Sequence, residues 1–142
     1  MQSNSYCTFR VGSIYLGVEV HRVQEVIRAQ KMTRIPGSQE VVRGLMNLRG
    51  QIVTALDMRR RLNLGSTEGS EPLMNVVVRT PDGPVSLLVN EIGDVLVVDG
   101  DQFEPPPETL QGIHRELISG SYKLDGRLLL VLNLDVAIRL AA

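Results

Sequence analysis

Few side chains in this sequence have the type and spacing that a reaction needs. The two histidines, His21 and His114, stand far apart, without ligand-like spacing around either. Cys7, the one cysteine, falls on the apolar face of an alternating stretch and reads as a buried, inert thiol. Asp99, Asp101 and Glu104 lack the glycine and glutamate placement of a calcium loop and read as a solvated turn. Glycines occur singly at turns, so no loop cradles a phosphate. Arg59, Arg60 and Arg61 could hold an anion, but on a near-neutral chain they read as a solvated basic helix end. No catalytic set, metal site or cofactor is expected. The chemistry that remains is interactive and centres on Asn47-Leu48-Arg49-Gly50, where one arginine sits among Val41, Val42, Leu45, Met46, Leu48, Ile52, Val53, Ala55 and Leu56.

The elements that would position Arg49 are two strands and the turn between them, because Gly50 accepts the positive φ of a tight hairpin. A charged amphipathic tail follows, with Asp57 as the N-cap of a short helix. The same unit recurs at Ile118–Leu140: Gly44 aligns with Gly120, Leu48 with Leu124, Gly50 with Gly126, Leu56 with Leu132 and Leu62 with Ile138. Upstream, Gly17–Val26 parallels Ser86–Val95. The chain therefore reads as two copies of one β unit. The copies differ where Asp125 stands for Arg49. Leu-Asp-Gly makes a good hairpin turn, whereas Leu-Arg-Gly makes a worse one, which suggests another job for the arginine.

Strands are expected at Ser5–Val11, Ile14–Val20, Leu73–Thr80, Val85–Val89, Val95–Val98, Leu117–Leu124 and Arg127–Leu132, besides the first hairpin. Tyr6, Thr8 and Arg10 are expected on the face opposite Cys7, Phe9 and Val11. His21–Ile27 changes period, with Val20, Val23, Val26 and Ile27 at helical spacing, and predicts a helical turn or two. Asn90–Asp94 mirrors it. Gly65–Pro72 is the expected linker between copies, and Pro105-Pro106-Pro107 a stiff loop. Nine or ten short strands so spaced suit small barrels. Each copy is marginal alone, so a shared apolar seam is expected. Val20 and Val23, with Ile92 and Val95 at the matching positions, are either plain core or the rim of a groove for an apolar helix, with Glu25 and Arg49 as polar markers.

The bulk composition agrees. A chain of 142 residues suits one domain, or two subdomains sharing a core. Its 43% hydrophobic content is enough to build that core. A net charge of −1 gives no pull toward nucleic acid or an anionic membrane, and 4% aromatics without tryptophan argue against a base-stacking platform. No run of about 18 apolar residues calls for a membrane span, and the first residues do not resemble a signal peptide. A single cysteine fits a reducing cytoplasm.

The run Val42-Arg43-Gly44-Leu45-Met46-Asn47-Leu48-Arg49-Gly50-Gln51-Ile52-Val53-Thr54-Ala55-Leu56-Asp57-Met58-Arg59 resembles the signature of CheW-type chemotaxis coupling proteins. Gly17–Ile27 and Leu88–Leu96 look like two further blocks of that family. Thr54 stands where the family has proline, and Asn90 where it has aspartate. The resemblance implies an all-β fold of two five-stranded SH3-like barrel subdomains sharing a hydrophobic core, with short helices. The first would span approximately 14–67, and the second approximately 5–12 plus 73–140. It also implies a non-enzymatic cytoplasmic adaptor, brought to membrane receptor arrays by its partners, that joins the tip of a methyl-accepting chemoreceptor to the regulatory domain of the histidine kinase CheA. Receptor-contact positions carry over to Val20, Val23, Glu25, Arg49, Ile92 and Val95, and kinase-contact positions to Thr33, Arg34 and Ile35. An adaptor with a motility or gene-expression output is the alternative within the architecture. A small-barrel enzyme lacks a converging acid–base or metal set, and a nucleic-acid-binding barrel lacks the charge.

Overall fold

Runs rich in Val, Ile and Leu form the strands of this chain, and glycine turns join them. A computed structural model describes residues 3–65 and 73–139. Strands β1 (Ser3–Val11) and β2 (Ile14–Glu19) make a hairpin. A 3-10 turn at Val20–Arg22 leads to β3 (Val23–Arg28), β4 (Val42–Leu48), β5 (Gln51–Asp57) and helix α1 (Met58–Arg61). Then come β6 (Met74–Val78), β7 (Val85–Val89) and β8 (Glu91–Asp99). Helix α2 (Ile113–Leu117), β9 (Ile118–Leu124), β10 (Arg127–Leu132) and helix α3 (Leu134–Ala137) complete the order.

The strands form two five-stranded sheets, ordered β8-β1-β2-β10-β9 and β3-β6-β7-β5-β4. Each position in one order is filled by the equivalent strand of the other copy. The equivalence extends to register: β10 runs parallel to β2 with Val131 opposite Gly17, and β5 runs parallel to β7 with Ala55 opposite Ser86. Each copy thus gives its first hairpin to one sheet and its last three strands to the other, so neither copy builds a sheet alone. This moves the boundaries away from those expected. The compact units are Met1–Val20 with Ile92–Ala142, and His21–Glu91. Strand β2 hydrogen-bonds to β1 and β10, and β6 and β7 join β3 and β5, so the division follows backbone pairing rather than the linker. Most of that expected linker, 66–72, lies outside the described residues.

Each unit has its own apolar cluster. In the first, Tyr6, Tyr122, Leu129 and Val131 are buried, with Leu96 and Val98 against them. In the second, Met46, Val53 and Val77 are buried, with Ile27, Met32 and Leu48 against them. Burying each such side chain stabilises the fold by roughly 1.5–3 kcal/mol before the entropic cost of ordering it. The polar side chains of Asn75 and Ser86 are wholly buried and satisfied: Ser86 Oγ donates to Asn75 Oδ1 at 2.7 Å, and Asn75 Nδ2 to the Arg28 carbonyl at 3.0 Å.

A close backbone crossing closes each barrel. The chain leaving β3 returns so that Thr33 and Leu45 exchange both backbone bonds, each 2.8 Å. The chain leaving β8 does the same with Glu104 and Ser121, each 2.9 Å. Each bridge ties the outer edge of β4 or β9 to the strap that follows the opposite edge strand. The residues beneath the straps are Gly44 and Gly120. A Cβ at Gly44 would lie 2.7 Å from the Thr33 oxygen, and one at Gly120 would lie 2.0 Å from the Phe103 ring and 2.7 Å from the Glu104 oxygen. Both glycines follow a bulge, since Arg43 and Ser119 have no residue opposite them in the ladder. In both copies the last strand leads into a capped helix: Asp57 accepts from the Arg59 and Arg60 amides at 3.1 and 3.3 Å, and Asn133 from the Val136 amide at 3.3 Å.

Three local expectations are corrected. His21–Ile27 is helical only through Arg22, and Val23–Arg28 is a strand paired with β6. The register shifts between Val23 and Glu25, which breaks the alternation and mimics a helical period. Asn90–Asp94 likewise contains the start of β8 rather than a helix. There Thr8 Oγ1 donates to the Asp94 carbonyl, and Gly93 lies so close to Thr8 that a Cβ would approach its hydroxyl to 2.5 Å. On β1, Tyr6 and Thr8 are buried together with Phe9 and Val11, while Cys7 is only half-buried. Desolvation still raises the thiol's pKa, which opposes nucleophilic use.

Gly44→Ala is expected to lower the unfolding free energy in urea by about 1–3 kcal/mol, because the strap's backbone must shift. Gly50→Ala, whose methyl meets nothing within 4 Å, should cost only about 1 kcal/mol through its positive φ. Equal losses at the two positions would show that the strap crossing is not what constrains Gly44.

Candidate functional site

The β4–β5 turn places Arg49 and Gly50 at φ +52° and +84°, the two positive values of a type I′ hairpin. Asn47 accepts the Gly50 amide at 2.8 Å and braces the turn. A positive φ is uncommon for arginine. In the equivalent β9–β10 turn only Gly126, at +82°, is positive. Arg49 does not trail into solvent. Its Nη1 donates to Glu25 Oε1 at 3.0 Å and its Nη2 to Glu25 Oε2, a bidentate fork. The contact ties the tip of the β4–β5 hairpin to β3, the strand at the opposite edge of the same sheet.

The pair is near the surface, with the Arg49 side chain 66% exposed and that of Glu25 21%. Water screens such pairs, so its consequence is mainly orientation rather than stability. The Arg49 hydrogen bonds hold the Glu25 carboxyl below the ordinary carboxylate range, against the opposing effect of desolvation and with lesser help from Gln24. Glu25 in turn raises the guanidinium pKa.

The other expected partner-contact residues divide between the units. Val23 lies two residues before Glu25 on β3, half-buried, in the same unit as Arg49. Val20, Ile92 and Val95 belong to the other unit. Val95 is 59% exposed on β8 and Val20 is at the margin of exposure, while Ile92 is half-buried. The reading of all four as plain core therefore fails at Val95, which points away from the cluster that holds Leu96 and Val98. Val97, on the same outward phase of β8, is more exposed still, and so is Ile52 on β5. Neither was expected, although the alternation of β8 carries the signal for Val97.

Thr33, Arg34 and Ile35 lie on the strap that closes the second unit. Thr33 and Arg34 are exposed and Ile35 half-buried. The strap turns at Gly37, with the Ser38 amide and hydroxyl both donating to the Ile35 carbonyl, at 3.2 and 2.7 Å. Arg34 and Ile35 line a surface cavity of about 250 Å³ that Arg43 and Arg60 also reach. Sequence reasoning placed Arg59, Arg60 and Arg61 on a solvated helix end. In the structure Arg60 pairs with Glu40 at 2.8 Å and Arg59 donates to the Leu64 carbonyl at 3.1 Å. Among the described residues, no group of three or more histidine, cysteine, aspartate or glutamate side chains could hold a metal ion, and no helix is long and apolar enough to cross a membrane.

A model of the CheW-like domain matches residues 5–142. The chain belongs to the CheW family. It is 29% identical over 130 residues to the chemotaxis protein CheW of Bacillus subtilis, covering 92% of this chain and 83% of that one. It is 27% identical over 131 residues to the CheW of Treponema pallidum, covering 89% and 77%. The crystal structure of the scaffolding protein TtCheW from Thermoanaerobacter tengcongensis superposes with a TM-score of 0.88 at 24% identity, covering 98% of this chain and 94% of that one. The fold is thus the SH3-like architecture that the resemblance implied. CheW proteins are non-enzymatic chemotaxis adaptors, and this chain is an adaptor rather than an enzyme.

The Arg49–Glu25 contact is checked by following the Glu25 carboxyl through an NMR pH titration. Because its folded pKa lies below its unfolded value, the contact's contribution is present above the unfolded pKa and is lost as pH falls through the folded one. In Arg49→Ala the Glu25 midpoint should return toward the ordinary carboxylate range. An unmoved midpoint would show that Arg49 is not its principal partner.

Proposed function

We propose that this chain couples the cytoplasmic tip of a methyl-accepting chemoreceptor to the regulatory domain of the histidine kinase CheA, without catalysis or cofactor. The observation that carries the reading is Arg49, held at positive φ and forked onto Glu25 across its sheet. Unusual backbone at an exposed turn, where the second copy does without it, fits a side chain kept for recognition.

The receptor surface comprises Val20, Val23, Glu25, Arg49, Ile92 and Val95. In one unit the exposed Val95 and Val20 offer apolar area to a receptor helix, and in the other the Arg49–Glu25 pair offers polar contacts that fix orientation. The kinase surface comprises Thr33, Arg34 and Ile35 on the strap. The adaptor works in the cytoplasm and reaches receptor arrays through these partners, without inserting into the membrane or binding nucleic acid.

Arg49→Ala and Val23→Asp are expected to weaken pull-down of a receptor cytoplasmic fragment roughly tenfold while leaving the melting temperature within a few degrees. Unchanged capture by both variants would remove the receptor assignment. Lost capture with a collapsed melting curve would show a folding defect instead.

A further inference from the structure

The two units build the same backbone around the strap, so each serves as the other's control. In both, a bulge residue precedes the crossed glycine, a strap bridges over it, and a capped short helix follows. Arg43 and Arg60 occupy, in one unit, the places that Ser119 and Val136 hold in the other. The fold therefore does not require arginine at either position. Yet both converge, with Arg34 of the strap, on the one cavity of about 250 Å³.

We infer that this cavity is an anion pocket that receives an acidic side chain of a docking protein. Three guanidinium groups line it against two carboxylates. One of these, Asp57, is 2% exposed and already accepts the two amides of the helix it caps. The other, Glu40, pairs with Arg60 at the surface, its side chain 80% exposed, where water competes for it and an incoming carboxylate can replace it. Each guanidinium offers five donors in a planar fork matched to a carboxylate, and at Arg60 the pair with Glu40 does not use them all.

The walls are fixed. Thr33, next to Arg34, is locked to Leu45 by two backbone bonds, the strap turn is tied through Ser38, and Arg43 sits at the bulge of β4. The cavity is smaller than those that enclose a drug-sized ligand or cofactor, and its size suits a side chain entering from a partner's surface. The inference rests on the reading of the strap as the kinase-facing surface and adds the chemistry that surface would recognise: an aspartate or glutamate of the partner.

The test titrates the labelled full chain with a capped hexapeptide of alternating aspartate and serine, with its asparagine counterpart, and with inorganic phosphate, following arginine Nε–H and backbone amide signals. The aspartate peptide should move the signals of Arg34, Arg43, Arg60, Gly37 and Ser38 along one saturating curve. The asparagine peptide should not. Arg43→Gln and Arg34→Gln should each weaken the aspartate peptide about fivefold, and raising salt should weaken it further. No response to the aspartate peptide, an equal response to the asparagine peptide, or a response to phosphate alone would overturn the inference. Capture of the kinase regulatory domain is the separate arm. A chain that takes the aspartate peptide but not the kinase domain keeps the pocket and loses the kinase reading of the strap. A kinase domain captured equally by the wild type and by both arginine variants keeps the kinase reading and removes the pocket's role in it.

Discussion

Each barrel depends on one close backbone crossing. A five-stranded sheet left open would expose unpaired amides and carbonyls along its edge strands, which is costly and invites association. Here the strap after one edge strand bonds to the other edge strand, at Thr33–Leu45 and again at Glu104–Ser121. The crossing is possible only where no Cβ intervenes, at Gly44 and Gly120. A bulge just before each glycine bends the strand beneath the strap. These features recur in both copies because the same steric problem recurs.

The exchange of hairpins between the copies has an energetic consequence. Neither copy can satisfy its own strands, because β2 finds its parallel neighbour in β10, and β7 finds its own in β5. Backbone hydrogen bonding therefore obliges the two halves of the chain to fold with reference to each other. With the scaffold specified twice, side chains at equivalent positions are free to diverge, as they do at Arg49 against Asp125, Arg43 against Ser119, and Arg60 against Val136.

Local sequence determined a good deal of this protein. The paired glycines, hairpins and helix caps showed the duplication, because turns and caps are short-range constraints that a few residues satisfy. The Asn-Leu-Arg-Gly block was legible as a hairpin with a marked arginine for the same reason. Tertiary structure alone decided which sheet each hairpin joins, because parallel pairing links residues distant in the chain. It decided that Val23–Arg28 and the start of β8 are extended, since a bulge can imitate helical periodicity in the sequence. It also decided the roles of the charged residues. That Arg49 reaches Glu25, and that Arg34, Arg43 and Arg60 share one cavity, follows from barrel closure, a constraint that acts across space and leaves no spacing in the sequence to read.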